Sequence, residues 1–171
     1  DIVTDESGNE VVLLPEIIFS NKQNINWNDV EDYLGKYVGE LIEIAETRDI
    51  IYIGNKFPDE YGGSSYTRKT KGARAKAKAN AAQGIREMVE IATDKVYREN
   101  HKEKHSEDAH NGWFYYVTRF AIPLYNNEKK TGEYNVYSAC LVVNHAANGK
   151  MYLYDVVGIK KEASNPLKTI K

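Results

Sequence analysis

The sequence contains little cysteine and no long apolar segment. Cys140 is the only cysteine in the 171 residues, so no disulfide can form within one chain. It stands in the apolar run "YNVYSACLVVNH", which is typical of a buried, reduced thiol; the alternative is a nucleophile. No run of about 18 apolar residues is present and no segment resembles a signal peptide. The sequence therefore predicts a soluble protein without a membrane partner.

An initiator methionine is also absent, because the chain begins at Asp1. We therefore expect a piece excised from a longer protein. A length of 171 residues with 42% hydrophobic residues suffices for one ordinary core. We expect a single domain over residues 1–171; the alternative is a core at 28–165 that follows an N-terminal extension at 1–27.

Positive charge is scarce in the first third of the chain. Residues 1–60 carry 14 acidic and 4 basic side chains, whereas residues 61–171 carry 11 acidic and 19 basic ones. The net charge of −2 therefore hides a strong asymmetry. Such a split indicates a basic working surface for a polyanion or an acidic partner, or two parts that neutralise each other in the fold.

The distribution of apolar and turn-forming residues predicts an α+β fold. An apolar extended segment and a short helix, capped by Asn26 or Asn28, precede a hairpin at 41–53, for which a helix continued through Ala45 is the alternative. Ala/Lys-rich helices are expected over residues 68–100, interrupted at Gly84. Three aromatic and β-branched runs at 112–125, 134–143 and 150–161 then predict a C-terminal antiparallel meander, with Asn148-Gly149 as a hairpin turn.

The segment "RKTKGARAKAK", residues 68–78, contains six bases and no acid. On a helix, Lys71, Arg74 and Lys78 would fall in one stripe. Such a stripe can follow phosphates, although solvated basic faces are common in proteins that bind no nucleic acid. The candidate nucleic-acid-binding residues are Arg68, Lys69, Lys71, Arg74 and Lys78.

Three of the four histidines stand in "HKEKHSEDAH", residues 101–110. His101 and His105 are spaced as zinc ligands at i and i+4 are. However, Lys102 and Lys104 would repel a dication, and the frame H-E-x-x-H is missing. We therefore predict no metal site and no cofactor.

RNA cleavage without a metal uses the same residue types. Removal of the proton from a 2′-hydroxyl requires a base, departure of the 5′-oxygen requires an acid, and the phosphorane requires a cation. His105 precedes the first strand of the meander, His145 ends the second, and Arg119 lies within the first. The hypothesis requires these three side chains to meet over one sheet face.

Arg119 is surrounded by apolar and aromatic strand residues. A charge in such a place must be paired, reach the solvent or serve a function, and pairing with an acid such as Asp155 is the alternative to phosphate binding. Tyrosines are also frequent, 13 in all. Several on the neighbouring strands could stack bases, and Tyr116 is the candidate that we include in the nucleic-acid site.

Three segments, "NKFPDEYGGSSYTRKTKGARAKAKANAAQGI", "KEKHSEDAHNGWFYYVTRFAIPL" and "YNVYSACLVVNHAANGKMYLYDVVGIKKE", resemble terminal domains of large phage and mobile-element proteins. Those domains are grouped with the barnase/EndoU/colicin/RelE-like nucleases. The resemblance implies helices before an antiparallel sheet that carries a metal-independent RNase site. It implies His105 and His145 as acid and base and Arg119 as phosphate clamp, with Lys102 or Thr118 in support. No glutamate stands at a barnase-like place, which favours an EndoU-like or RelE-like arrangement.

Two functions follow as hypotheses. The first is a metal-independent endoribonuclease that acts as a toxin or effector of a phage or mobile element, in the bacterial cytoplasm or delivered with the element. Its partners would be RNA and an acidic immunity or antitoxin protein. The alternative is a non-catalytic nucleic-acid-binding or assembly module. A third hypothesis, a group transferase, is supported only by the order of helices and sheet and by the presence of Arg, His and Tyr residues.

Overall fold

The computed structural model describes residues 1–20, 24–99, 111–162 and 165–168. Strands lie at β1 Ile2–Thr4, β2 Glu10–Leu13, β3 Leu41–Glu43, β4 Ile50–Tyr52, β5 Thr93–Arg98, β6 Trp113–Asn126, β7 Lys129–His145, β8 Met151–Lys161 and β9 Leu167–Lys168. Helices lie at α1 Trp27–Leu34, α2 Phe57–Gly63, α3 Ser65–Lys69, α4 Gly72–Ala81 and α5 Ile85–Glu90. Short 3-10 turns follow α1 and α4, at Gly35–Tyr37 and Ala82–Gly84.

The described strands form one mixed sheet in the order β1-β2-β6-β7-β8-β4-β3, with β5 added beside β6 and β9 beside β7. Strands β6, β7 and β8 pair antiparallel, whereas β2 with β6 and β4 with β8 are parallel pairs. One edge of β6 is shared, because β5 pairs along Trp113–Val117 and β2 pairs at Phe120–Ala121. The N-terminal strands therefore belong to the same sheet as the C-terminal ones.

A two-residue turn joins the longest strands, β6 and β7. Asn127 and Glu128 both have positive φ, at 51° and 67°. Two consecutive left-handed residues are typical of a type I′ turn, whose twist matches that of the paired strands. This turn fixes the register, in which Asn126 lies opposite Lys129.

Residues of β6 alternate between the two faces of the sheet. Phe114, Tyr116 and Phe120 face the helices and belong to or pack against the main core. Trp113 and Ala121 point to the opposite face, where two smaller clusters consist of strand residues. We call the first the helix-covered face and the second the opposite face. Burial of the apolar side chains between sheet and helices supplies the main driving force for folding.

The connection between α4 and α5 passes close to the N-terminal strand. A Cβ at Gly84 would lie 2.9 Å from Leu14 Cδ2 and 3.1 Å from Val12 Cγ1. Only glycine allows the backbone of this 3-10 turn to approach those side chains so closely. Gly84 therefore separates the two helices, and it also sets how tightly they pack on the sheet.

The α+β class predicted from the sequence is confirmed, since helices and a large sheet share one core. The helix expected over residues 93–98 is wrong, because these residues form β5. Asp94 has a φ of 58°, which interrupts helical backbone, and Val96 and Tyr97 pair with Tyr115 and Phe114. Tertiary pairing overrides a helical propensity that is weak in this segment. Within the described residues, no helix is long and apolar enough to cross a membrane.

Candidate functional site

Four basic side chains are exposed on α3 and the start of α4: Arg68, Lys69, Lys71 and Arg74. We call these four residues the basic surface. The sequence contains no Asp or Glu between Glu60 and Glu87, so the adjoining chain does not neutralise them. The basic surface is thus a local excess of positive charge in a protein of net charge −2.

Hydroxyl groups hold the backbone beneath the basic surface. Ser64 Oγ caps α3 by accepting a hydrogen bond of 3.1 Å from the Thr67 amide. Thr67 Oγ1 donates to the Tyr61 carbonyl at 2.6 Å, and Thr70 Oγ1 donates to the Thr67 carbonyl at 2.6 Å. Thr70 and Lys71 are extended, so α3 and α4 are separate short helices. The four cations are therefore carried by an ordered support.

Lys78 does not share the exposure of Lys71 and Arg74. It is completely buried, and its Nζ lies 2.5 Å from Asp155 Oδ1 on β8. The same Nζ lies 4.4 Å from the ring centroid of Tyr61 and 5.0 Å from that of Tyr66. Desolvation lowers the pKa of Lys78 and raises the pKa of Asp155, and the ion pair opposes both changes. The structure thus separates Lys78 from the stripe expected from helical periodicity.

Arg119 lies on the opposite face of the sheet. Its Nε donates to Glu162 Oε1 at 2.8 Å, and its side chain is 20% exposed. Asp155, the acidic partner suggested by the sequence, is instead paired with Lys78. Arg119 is opposite Ser138 in the register, and His145 of the same strand β7 has the other parity. The structure therefore does not bring Arg119 and His145 to one face.

Thr118 and Tyr116 are buried on the helix-covered face. Thr118 Oγ1 donates to the Met88 carbonyl of α5 at 2.7 Å. Tyr116 Oη donates to Asp49 Oδ2 at 2.7 Å, and burial raises the pKa of Tyr116. Both side chains join the sheet to neighbouring elements. In this structure neither presents a surface on which a base could stack.

His145 ends β7 on the helix-covered face, where it is half-buried. Its ring centroid lies 5.5 Å from that of Phe114, and Lys95 Nζ lies 4.3 Å from the same Phe114 centroid. Lys95 also contacts Asp49 Oδ2 at 2.8 Å. We call His145, Phe114, Lys95 and Asp49 the His145 cluster. It places a group that can transfer a proton and an ammonium group against the same phenylalanine ring, and both are residue types that phosphate chemistry needs.

Asp49 is the electrostatic centre of this cluster. Its desolvation raises the pKa of the carboxyl group, but hydrogen bonds from Lys95, Tyr116 and Thr47 outweigh it and hold the pKa below the usual value. The carboxylate is therefore charged at neutral pH and neutralises Lys95 in part. Sequence reasoning missed Lys95 and Asp49, because they come from a turn and from an edge strand far apart in the chain.

A pocket of about 270 Å³ lies at the end of β7 and the start of β8, beside the connection from β4 to α2. Its lining includes Gly54, Asn55, Phe57, Glu60, Asn144 and Tyr152, and we call it the Asn144 pocket. A polar residue at the end of the apolar run "SACLVVN" was the one signal in the sequence. That signal did not indicate a cavity, which depends on the packing of α2.

Two of the predicted catalytic residues, Lys102 and His105, lie outside the described residues, as do His101 and His110. The catalytic roles of Lys102 and His105 therefore stay predictions from the sequence. Among the described parts of the chain, no group of three or more His, Cys, Asp or Glu side chains is placed to hold a metal ion. On β7, burial raises the pKa of the Cys140 thiol, which opposes formation of a nucleophilic thiolate.

A scan against protein-family models finds no matching family, and searches of curated proteins and of solved structures find no match either. The resemblance to phage and mobile-element nuclease domains stays a prediction from the quoted segments. Function is consequently inferred from the residues and their geometry alone.

Proposed function

We propose that this protein is a nucleic-acid-binding module that holds single-stranded RNA on the basic surface. The observation that carries the proposal is the exposure of Arg68, Lys69, Lys71 and Arg74 on a hydrogen-bonded support, in a stretch of 26 residues, 61–86, without an acid. Cations of this kind bind the phosphate backbone and release its counterions, whatever the base sequence.

Exposed aromatic rings also occur on the sheet, where they can stack on unpaired bases. Tyr97 on the edge strand β5 is 51% exposed, and Tyr125 near the β6–β7 turn is 40% exposed. Stacking on such rings stabilises single strands with little dependence on sequence. A single strand is therefore a better ligand than a duplex, whose bases are already stacked.

The proposal predicts steeply salt-dependent binding of RNA. For a single strand, the slope of log K against log salt is about −0.7 per phosphate contacted, or roughly −3 for four contacts. The variant Arg68→Gln/Lys69→Gln/Lys71→Gln/Arg74→Gln should bind a fluorescent 12-nucleotide RNA on the order of 100-fold more weakly at 0.1 M salt, as anisotropy titration would measure.

A control variant with the same change in net charge shows whether the position of the four cations matters or only the loss of charge. Lys129, Lys130, Lys160 and Lys161 are exposed on β7 and β8. Their fourfold replacement by Gln should leave most of the affinity intact. Equal weakening in the two fourfold variants would show that no defined surface is involved, and the proposal would then fail. DNA of the same sequence tests the preference for the 2′-hydroxyl.

A second candidate function is metal-independent cleavage of RNA, and the His145 cluster favours it. A half-buried imidazole and an ammonium group contact the same phenylalanine ring, and general acid–base catalysis by histidine operates near neutral pH. Arg119 is separated from this cluster by the sheet, so it is left out of the catalytic set. An acidic protein that covers the basic surface would be a fitting inhibitor.

Cleavage of RNA in EDTA tests this second function. His145→Ala should lower the rate by at least about 100-fold, since loss of a general acid or base has that effect. Arg119→Ala, the control on the opposite face, should cleave like the original protein. A substrate with 2′-deoxy residues should resist cleavage. Equal rates for His145→Ala and the original protein would exclude His145 as the acid or base.

A further inference from the structure

The Asn144 pocket contains a polar atom whose bonding is incomplete. Asn144 is 6% exposed, and its Oδ1 has no hydrogen-bond partner among the described residues. A buried amide oxygen that has lost its water and gained no donor is unfavourable for the folded state. Asn144 is among the residues that line a pocket, and its oxygen could take a donor from a molecule bound there once the amide turns it toward the pocket.

Flat apolar surfaces stand beside this amide. Tyr152 lies opposite Asn144 in the β7–β8 register, and its ring centroid is 5.6 Å from that of Tyr52. Its hydroxyl accepts a hydrogen bond of 3.3 Å from Asn148 Nδ2. These contacts restrict the movement of the ring. Phe57 of α2, almost fully buried, contributes a second aromatic ring to the lining.

Gly54 keeps the space beside Tyr152 open. A Cβ at Gly54 would lie 3.4 Å from Tyr152 Cδ1, which is ordinary contact, so any larger side chain here would extend into that space. Asn55 and Glu60 contribute further polar groups to the lining. The pocket thus combines aromatic rings with a few polar atoms, the composition that small-molecule sites have.

We propose that the Asn144 pocket receives one unstacked nucleobase, whose N–H group donates to Asn144 Oδ1 while its face packs on Tyr152. Proteins that bind single-stranded RNA read splayed-out bases in this way, by stacking and by hydrogen bonds to base edges. The volume of about 270 Å³ is slightly below the range of about 300–1,000 Å³ typical for drug-sized ligands, which suits a single base or nucleoside. The amide can turn about its Cβ–Cγ bond, because that torsion is broad.

The inference deepens the proposed function and rests on it, because the basic surface would deliver the base. Helix α2, which contributes Phe57 and Glu60 to the pocket, is separated from α3 by Ser64 alone. Arg68 and Lys69 stand at the end of α3. The pocket and the basic surface are thus carried by consecutive helices, and the inference requires that one oligonucleotide reach both.

Free nucleosides test the pocket without testing the basic surface, because they carry no phosphate. Adenosine, guanosine, cytidine and uridine would each be titrated into ¹⁵N-labelled protein, with ribose as the control. We expect at least one nucleoside to bind and to shift the Asn144 side-chain amide signals, whereas ribose leaves them unchanged. If no nucleoside shifts these signals, the inference is overturned, even when RNA binds the basic surface.

The variant Asn144→Leu separates a ligand-binding role from a structural one. It removes the unpaired oxygen at similar volume, so the Tm should rise by roughly 2 to 4 °C while nucleoside affinity falls at least tenfold. Asn135→Leu, nine residues away on the same strand, is the matched control and should leave nucleoside binding unchanged. A lower Tm with unchanged nucleoside binding would show that Asn144 has only a structural role.

A second variant covers the case in which Asn144→Leu does not fold. Gly54 has no positive φ, and a Cβ there meets only the Tyr152 ring at ordinary contact distance, so Gly54→Leu should fold and fill the pocket. Nucleoside binding should be lost, while RNA binding to the basic surface should weaken less than tenfold. Retained nucleoside binding in Gly54→Leu would refute the proposed place of the base.

Discussion

Lys78 has no solvent-exposed surface, and Asp155, its partner, is 2% exposed. Removing two charges from water costs several kcal/mol for each, and the short contact between them offsets this cost only while both are present. The Val156 amide gives Asp155 Oδ1 a further hydrogen bond of 2.8 Å. The pair thus fixes α4 against β8, and water does not solvate either charge.

Replacement of Lys78 alone should be strongly destabilising. Lys78→Met leaves Asp155 buried without its cation, and the expected loss in the free energy of unfolding is about 3–5 kcal/mol. Unfolding in urea at pH 7 measures this loss. Burial raises the pKa of Asp155 and Lys78 opposes that rise, so in Lys78→Met the pKa should lie higher still, and the deficit should shrink as the pH falls through it.

The double variant Lys78→Met/Asp155→Asn is the control for this experiment. An asparagine at 155 is neutral and keeps an oxygen for the Val156 amide, so the double variant should recover most of the lost stability and show little of the pH dependence. If the double variant is as unstable as Lys78→Met, packing rather than the unpaired charge is the cause.

The burial of Lys78 could not be predicted from the sequence. Helical periodicity places it with Lys71 and Arg74, but that argument assumes that α4 presents its basic stripe to water. Six of the ten residues of α4 are buried: Ala75, Ala77, Lys78, Ala79, Asn80 and Ala81. A helix enclosed on several sides does not have one solvent face, and the enclosing elements come from distant parts of the chain.

The edge strand β5 depends on a close approach at Gly112. This glycine has a φ of 96°, and a Cβ on it would lie 2.7 Å from the Arg98 carbonyl oxygen and 2.7 Å from Tyr97 Oη. Its own carbonyl accepts a hydrogen bond of 2.9 Å from the His145 amide. Gly112 therefore joins β5, β6 and β7 at one point, next to the His145 cluster.

Alanine at this position should loosen the junction. Gly112→Ala adds a left-handed alanine and a clash with backbone, and we expect the free energy of unfolding to fall by about 2–4 kcal/mol in urea titrations. Gly149→Ala is the matched control, because Gly149 has a φ of 84° but no atom within 4 Å of its Cβ position. It should lose only about 1–2 kcal/mol. Equal losses would show that the clash at Gly112 is relieved at no cost.

At the scale of elements, the hydrophobic period of a segment and the strand with which it pairs give different information about its secondary structure. Thr93–Arg98 follows directly after helical sequence, and no period in so short a segment distinguishes strand from helix. Its pairing with Trp113–Val117 decides the matter. The hypothesis that Arg119 and His145 meet over one sheet face had the same weakness. Alternation along β6 places Arg119 and Tyr116 on different faces, but only the register between β6 and β7 shows on which face His145 lies.

At the scale of the whole molecule, the mixed class could be predicted and the extent of the sheet could not. Alternating aromatic and β-branched residues indicate strands locally, whereas the parallel pairs of β2 with β6 and of β4 with β8 join segments that share no local signal. The Asn144 pocket arises from one of these pairs, because β4 leads into α2 beside β8. Sites that are built by long-range contacts stay hidden until the contacts are known.

The position of β2 also has a consequence during synthesis of the chain. Val12 lies opposite Phe120 and Leu13 opposite Ala121, so β2 leaves the ribosome well before its partner exists. At translation rates of about 5–20 residues per second in bacteria and eukaryotes, the delay is roughly 5 to 20 seconds. Throughout that interval Val11, Val12 and Leu14, all buried in the finished protein, can have β1 as a neighbour but not β6. The nascent N-terminal segment therefore exposes its apolar side chains for longer than the strands that complete the sheet.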